Sequence, residues 1–324
     1  MNTQPELLTD AFRVLSARLG QDPLQVQGPG GNTSIKSGGV MWIKASGTEL
    51  ADAEKTNIFV AVDRHAAVAE AREQMGDGSC KTTGLDTSVT LRPSIETTFH
   101  AALEWTVVAH THSVATITHA ISPEGRDALV EKLDGLPFVQ VPYAKPGLPL
   151  TREILARITP ETQVIVLQNH GLICCGDSVE AVDLLIRDVE QRLALPSASM
   201  EWHEPETSAL DGFTWSEYSW LGQNDRAMQL ALNGTYYPDH VVFLGPALPE
   251  RETDATPPAI LIRGQGVLIR DGATSSQLAM LRCLCDVLSS LPLDWTVDPI
   301  GTDAEAELLN WDAEKYRQAL AGRR

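Results

Sequence analysis

Two histidines separated by a single residue, His110 and His112, follow the apolar run 105–109. Alternate side chains of a strand face the same side, so both imidazoles point one way and can offer two nitrogens to one transition metal. A third, His170, sits in Asn169-His170-Gly171 directly after the apolar run 163–167. A strand end is where a side chain can leave the core and enter a site. Glu96 lies upstream at the start of a predicted helix, where the local positive potential favours a carboxylate. Three imidazoles and a carboxylate suit Zn²⁺ or a neighbouring divalent ion. Taken singly, each group has a plainer reading: a surface pair on a strand for His110 and His112, a helix-start charge for Glu96.

A second group of residues suits an anion. Gly30 and Gly31 free backbone N–H groups to point inward, and Asn32 and Thr33 add side-chain donors. Lys36, Lys44 and Arg92 are near in sequence. They would bring positive charge to the pocket, although either lysine could equally be an exposed strand residue. His65 and His100 read as packing or surface groups. His119 is a weaker candidate for the pocket wall, and Cys174 and Cys175 read as buried thiols.

The elements that must position these groups follow from periodicity and turn chemistry. Residues 24–47 alternate short β-type runs with Gly and Ser clusters, a strand–turn–strand pattern. Helices are expected over 1–20, 63–73, 94–105 (with Ser94 as N-cap) and 178–193 (with Ser178 as N-cap), and a helix or turn over 113–120. Strands are expected at 106–109, 163–167 and 172–175, and a polar loop at 76–90. Residues 196–212 lose all period, and further strands at 241–244, 260–262 and 266–269 precede helices at 275–290 and 303–320. The runs 164–173 and 259–268 resemble each other, and 107–112 can be laid on 241–246. The later part therefore reads as a degenerate copy of the earlier one without its histidines, or as a second α/β unit that shares a pattern with it. The chain divides into a catalytic domain over 1–195, a linker or excursion over 196–235 and a C-terminal unit over 236–324.

The 324 residues carry 25 Lys plus Arg against 43 Asp plus Glu, a net charge of −18. That balance argues against a nucleic-acid or anionic-membrane surface, both of which need a basic face. It leaves room for a local basic pocket. Five cysteines without a C-x-x-C pair fit a reduced cytoplasmic setting. No signal-peptide pattern or long apolar run appears.

The segments Gly30-Gly31-Asn32-Thr33-Ser34, Lys44-Ala45-Ser46-Gly47-Thr48, Pro93-Ser94-Ile95-Glu96, His110-Thr111-His112 and Asn169-His170-Gly171 resemble, in order and spacing, the class II aldolase/adducin family. The likeness is to its fuculose-phosphate and rhamnulose-phosphate aldolases and runs over roughly residues 10–195. The closing segment, with Pro238-Asp239-His240, is similar to longer members, including the aldolase portion of bifunctional aldolase/dehydrogenase proteins. No G-x-G-x-x-G follows a strand, so a dehydrogenase half is not supported. The resemblance implies a three-layer αβα domain around a central mixed or antiparallel sheet, joined to the smaller C-terminal α/β unit. It implies a metal-dependent retro-aldol lyase in which His110, His112 and His170 hold Zn²⁺, with Mn²⁺ or Co²⁺ as substitutes. Glu96 would be the acid/base, close enough to ligate the ion when substrate is absent. Gly31, Asn32, Thr33, Lys44, Ser46, Gly47 and Ser94 would bind the substrate or its phosphate. Ile95 departs from the simpler sugar-phosphate aldolases, which usually carry a small hydroxyl residue there, and so removes one donor. Tyr143, Tyr236 and Tyr237 are alternative proton donors.

The expected substrate is a small anionic carbohydrate, a ketose phosphate or related hydroxy-ketone. The same metal chemistry could instead decarboxylate a 3-keto sugar acid or epimerise a sugar phosphate. A non-catalytic adducin-like binding module is the alternative of another class, which the four intact candidate ligands disfavour. A homo-oligomer, tetramer or dimer, is expected, with neither nucleic acid nor membrane as partner.

Overall fold

The computed structural model describes residues 3–86, 88, 90–197, 200–250 and 257–321. The first unit runs α1 (Asp10–Gln21), β1 (Asn32–Ser37), β2 (Val40–Lys44), β3 (Phe59–Asp63), α2 (Arg64–Ala71), α3 (Thr97–Ala102) and β4 (Val107–Thr111). It continues with α4 (Val114–Ala120), α5 (Pro123–Lys132), β5 (Phe138–Val141), α6 (Leu148–Leu155), β6 (Val164–Leu167), β7 (Gly171–Gly176) and α7 (Val179–Leu193). Its strands form one sheet in the order β3-β2-β1-β4-β7-β6-β5. Every pairing is antiparallel except β5 with β6.

Alternation along the strands builds three layers. Val107 and Ala109 of β4 face a core shared with Phe12 and Leu15 of α1 and Val182 and Ile186 of α7. Val108 faces the other way, into a core with Phe99 of α3 and Leu150 and Ile154 of α6. Each fully buried Val, Leu, Ile or Phe among them contributes about 1.5–3 kcal/mol, so two apolar faces hold the sheet between the helical layers. The register sets Asn32 opposite His110 and Thr111 opposite Leu172. The site is therefore assembled at one end of the three central strands.

Helix boundaries differ from expectation where capping decides them. The first helix starts at Asp10, because the Thr9 hydroxyl accepts from the Phe12 N–H at 3.2 Å. Ser94 is not an N-cap. Its hydroxyl accepts from the Glu96 N–H at 3.2 Å and its carbonyl takes the Thr97 hydroxyl at 2.6 Å, so a turn precedes the helix and α3 covers only Thr97–Ala102.

The second unit contains β8 (Phe213–Trp215), α8 (Trp220–Gln223), α9 (Asp225–Leu232), α10 (Pro238–Leu244), β9 (Ala259–Ile262), β10 (Gly266–Arg270), α11 (Ser275–Ser290), α12 (Thr302–Leu309) and α13 (Asp312–Ala321). Its small sheet runs β8-β10-β9. Within 196–235, read as linker, β8 pairs with β10 and α9 enters the unit's core. The expected strand at 241–244 is the helix α10. Pro238 supplies a φ suited to a first helical turn, and every residue from Pro238 to Leu244 is buried, which erases any amphipathic period. The single helix expected at 303–320 is two, broken at Asn310 and Trp311, with the Trp311 ring packed under Lys145. The hairpin-and-helix likeness between β6–β7–α7 and β9–β10–α11 holds in element order, whereas the proposed match of β4 to 241–246 falls on a helix.

The two units share a core. Val114, Ile117 and Ile121 of the α4 segment pack with Met228, Tyr236, Val241 and Leu284 of the second unit. The helix that follows the histidine strand is thus the seat on which the second unit sits.

Candidate metal centre

His110 and His112 lie on the side of β4 that faces α3, as the alternation requires, and His170 lies in the β6–β7 turn. The three ring centroids are 4.9–5.3 Å apart. One ligand atom from each lies within 4.8 Å of the others, and all three residues are buried. The His110 Nδ1 is paired with the Leu172 carbonyl at 3.0 Å, which turns Nε2 toward the centre. Glu96, immediately before α3, completes the group. Its Oε2 is 3.5 Å from His110 Nε2 and its Oε1 is 3.6 Å from His170 Nε2.

Glu96 Oε1 and His110 Nε2 are both buried without a hydrogen-bond partner. Leaving such groups unsatisfied costs about 1–3 kcal/mol each. A divalent cation accepts lone pairs from both, and the donor set of three imidazoles and one carboxylate matches what Zn²⁺ prefers. The residues therefore fit a metal ion.

The electrostatics agree. Burial opposes the Glu96 charge, but His110, His170 and the Asn32 amide outweigh it and hold the carboxyl at about 2. Burial drives His170 down to about 3 despite the Glu96 charge, and lowers His110 as well. At neutral pH Glu96 is thus a carboxylate and His110 and His170 offer imidazole lone pairs, the state a cation binds.

A narrow cleft opens onto the centre, lined by Glu96, His112 and His170. Asn32 enters it from β1 and donates from Nδ2 to Glu96 Oε2 at 2.8 Å and to Ser94 Oγ at 3.2 Å. Gly31, at φ +54°, brings the backbone close, since a Cβ there would lie 2.8 Å from the His110 carbonyl oxygen. Lys44, Ser46, Gly47 and Ser94 also line the cleft. The Lys44 ammonium is buried and donates to the Pro29 and Thr48 carbonyls, each at 2.7 Å.

The family model for the class II aldolase and adducin N-terminal domain matches residues 14–194. The chain belongs to this family. It is 32% identical over 181 residues to a Bacillus subtilis (strain 168) protein called uncharacterized oxidoreductase YuxG, a match covering 50% of this chain and 25% of that protein. It is 30% identical over 120 residues to a 3-oxo-tetronate 4-phosphate decarboxylase of Escherichia coli O6:H1, covering 32% of this chain and 55% of the relative. The chain thus spans between a quarter and about half the length of these curated relatives. Among solved structures, the N-terminal class II aldolase domain of a conserved Thermoplasma acidophilum protein superposes with a TM-score of 0.51 at 26% identity, covering 60% of this chain and 94% of that one.

Not every residue expected in this site arrives there. Thr33 has the wrong parity on β1, and its hydroxyl pairs with Ser16 of α1 at 2.7 Å. Lys36 is buried away from the cleft, donating to the His100 carbonyl at 2.7 Å. Arg92 stacks on the Tyr316 ring at 4.4 Å. His119 Nδ1 pairs with the Ala115 carbonyl, and its ring packs on Trp295. Tyr143, Tyr236 and Tyr237 do not line the cleft, and the Tyr236 hydroxyl is spent on the Leu230 carbonyl.

Two residues exceed their expected roles. His100, read as a packing or surface group, is buried with Nδ1 2.8 Å from Ser34 Oγ and Nε2 in hydrogen-bond contact with Asn32 Oδ1, so it fixes the side-chain amide that holds Glu96. Asp239, from the second unit, lines the cleft with Oδ2 3.3 Å from His112 Nδ1. The segment Pro238-Asp239-His240 was visible in the sequence, but nothing local tied it to the histidines.

Proposed function

We propose that the chain is a divalent-metal-dependent carbon–carbon lyase of the aldolase type, acting on a ketose phosphate or related hydroxy-ketone. The observation that carries this reading is Glu96, a buried carboxylate within 3.6 Å of two imidazoles, at the foot of a cleft that also holds Lys44. His110, His112 and His170 would hold the ion, Zn²⁺ by preference of the donor set and Mn²⁺ or Co²⁺ as substitutes. When bound, a divalent ion supplies Lewis acidity toward the substrate's carbonyl and neighbouring hydroxyl oxygens.

The chain's own residues do the rest. Asn32 keeps Glu96 Oε2 oriented and hydrogen-bonded. Glu96 takes the proton of the hydroxyl that becomes the aldehyde as the carbon–carbon bond breaks, and returns it to the carbon left carrying the electron pair. The Gly31 backbone, Ser46, Gly47 and Ser94 bind the anionic end of the substrate, with the Lys44 charge behind them. Ile95 also lines the cleft, an apolar wall in place of a further donor.

A second reading is decarboxylation of a 3-keto sugar acid phosphate, favoured by the 30% identity to a protein bearing that activity in its name. One panel separates them: ketose 1-phosphates, unphosphorylated ketoses and 3-keto acids, each with and without chelator. The aldolase reading expects chelator-sensitive aldehyde release from a ketose phosphate. Carbon dioxide released instead transfers the assignment to the second reading, and turnover unaffected by chelator removes both. A homo-oligomer is proposed with it, and a monomeric mass in light scattering would refute that part.

A further inference from the structure

The family domain ends near residue 194, yet the carboxylate nearest His112 comes from beyond it. Asp239 stands in the first turn of α10, and its side chain is 2% exposed. Its Oδ2 lies 3.3 Å from His112 Nδ1. His110 has its Nδ1 oriented by a carbonyl of its own sheet, at Leu172. For His112, among the described residues, the group at that distance from Nδ1 is Asp239.

The first unit is shaped to admit it. A Cβ on Gly30 would lie 2.8 Å from His112 Nδ1 and 2.9 Å from Asp239 Oδ2. Glycine therefore leaves the gap in which imidazole and carboxylate meet. The second unit also grips the neighbouring ligand segment. Asn169, at φ +53°, donates from Nδ2 to the Tyr236 carbonyl at 3.1 Å and to the Asp298 carbonyl at 2.7 Å. One unit thus reaches the segments of His112 and His170.

We infer that Asp239 is a positioning residue for the metal centre: it holds His112 as the Nδ1–H tautomer, leaving Nε2 to the ion, so that the unit beyond the family domain completes the site within the same chain. Metal-bound histidines ordinarily give their second nitrogen to a carboxylate or carbonyl, and losing that partner costs about 10–100-fold in metal affinity. This inference rests on the metal-centre reading above.

The test uses the full chain stripped by chelator. Zn²⁺ affinity is measured by competition with a chromophoric chelator for wild type, Asp239→Asn, Asp239→Ala and Gly30→Ala. Imidazole nitrogen NMR on histidine-labelled protein reports the His112 tautomer. Both Asp239 variants should bind Zn²⁺ about 10–100-fold more weakly, with metal-free melting near wild type and a His112 signal no longer fixed as Nδ1–H. Gly30→Ala should weaken binding too, and adding it to Asp239→Asn should cost less than the sum, because both act on one contact. Affinity within twofold of wild type in both Asp239 variants, or a wild-type His112 protonated on Nε2, overturns the inference. The wild-type spectrum decides the matter even if Asp239→Ala fails to fold. Wild-type protein that takes up no Zn²⁺ removes the metal-centre reading itself, whereas tight wild-type binding with indifferent Asp239 variants removes only the role of Asp239.

Discussion

Glu96 concentrates the chemistry of the site in one side chain. Its carboxylate is ionised, oriented by Asn32 and in reach of two imidazoles. Glu96→Gln should keep the imidazole ligands and bind Zn²⁺ while losing about 10²–10⁴-fold in turnover, the usual cost of removing a general acid/base. Normal turnover in that variant, on whichever substrate the panel identifies, would show that another group moves the proton. Lys36 makes an independent prediction. Burial pulls its amine from 10.5 down to about 7. Between those values the unfolded chain holds one more proton at Lys36 than the folded one, so the Lys36 contribution to stability rises with pH, by at most about 1.4 kcal/mol per unit. Five buried cysteine thiols, raised by burial, act in the opposite sense at the alkaline end, so the test is a difference: urea titrations between pH 7 and 10 should give wild type a more positive slope than Lys36→Met, and equal slopes contradict the assignment. Strand parity made much of this scale legible beforehand. It puts His110 and His112 on one face; applied to β1, the same rule would have taken Thr33, read as a donor, out of the site that Asn32 enters. Burial is what parity omits: Lys36 shares the Asn32 face, but α3 covers it, and only the fold shows that.

Among the elements, the β6–β7 turn matters most because it carries His170. Asn169 holds a left-handed backbone there and is clamped by two carbonyls of the second unit. Asn169→Ala removes both hydrogen bonds and places a less tolerant residue at positive φ, so we expect a loss of about 1–3 kcal/mol in chemical denaturation together with weaker Zn²⁺ binding. A variant equal to wild type in both would mean that the clamp does not hold the turn. The hairpin and helix spanning 164–193 were readable because apolar runs, a glycine break and the Ser178 cap agree with one another. The element bearing Asp239 was not. A buried seven-residue helix rich in valine, phenylalanine and leucine has no polar face to reveal its period, and it reads as a strand. Ser94 misled for a related reason, because a serine that stabilises a turn and one that caps a helix look the same in sequence.

At the scale of the whole molecule, the acidic chain is two units fused through α4, and the centre lies where they meet. Calorimetry should therefore give one cooperative transition for both, raised by Zn²⁺ through mass action. Two separated transitions, the earlier one leaving the first unit folded, would deny the shared core. The sequence changes composition after residue 195, but the return of the later elements onto the histidines depends on long-range packing that no local pattern records. Everything proposed for the site depends on His110, His112, His170 and Glu96 holding one divalent ion. The most direct test of that is a Zn²⁺ titration of chelator-stripped protein, wild type beside His110→Ala. One tightly bound ion per wild-type chain is expected, with a loss of affinity in His110→Ala exceeding the roughly 100-fold that an outer-shell change can cost. No stoichiometric ion in the wild type, or equal binding in the variant, would contradict it.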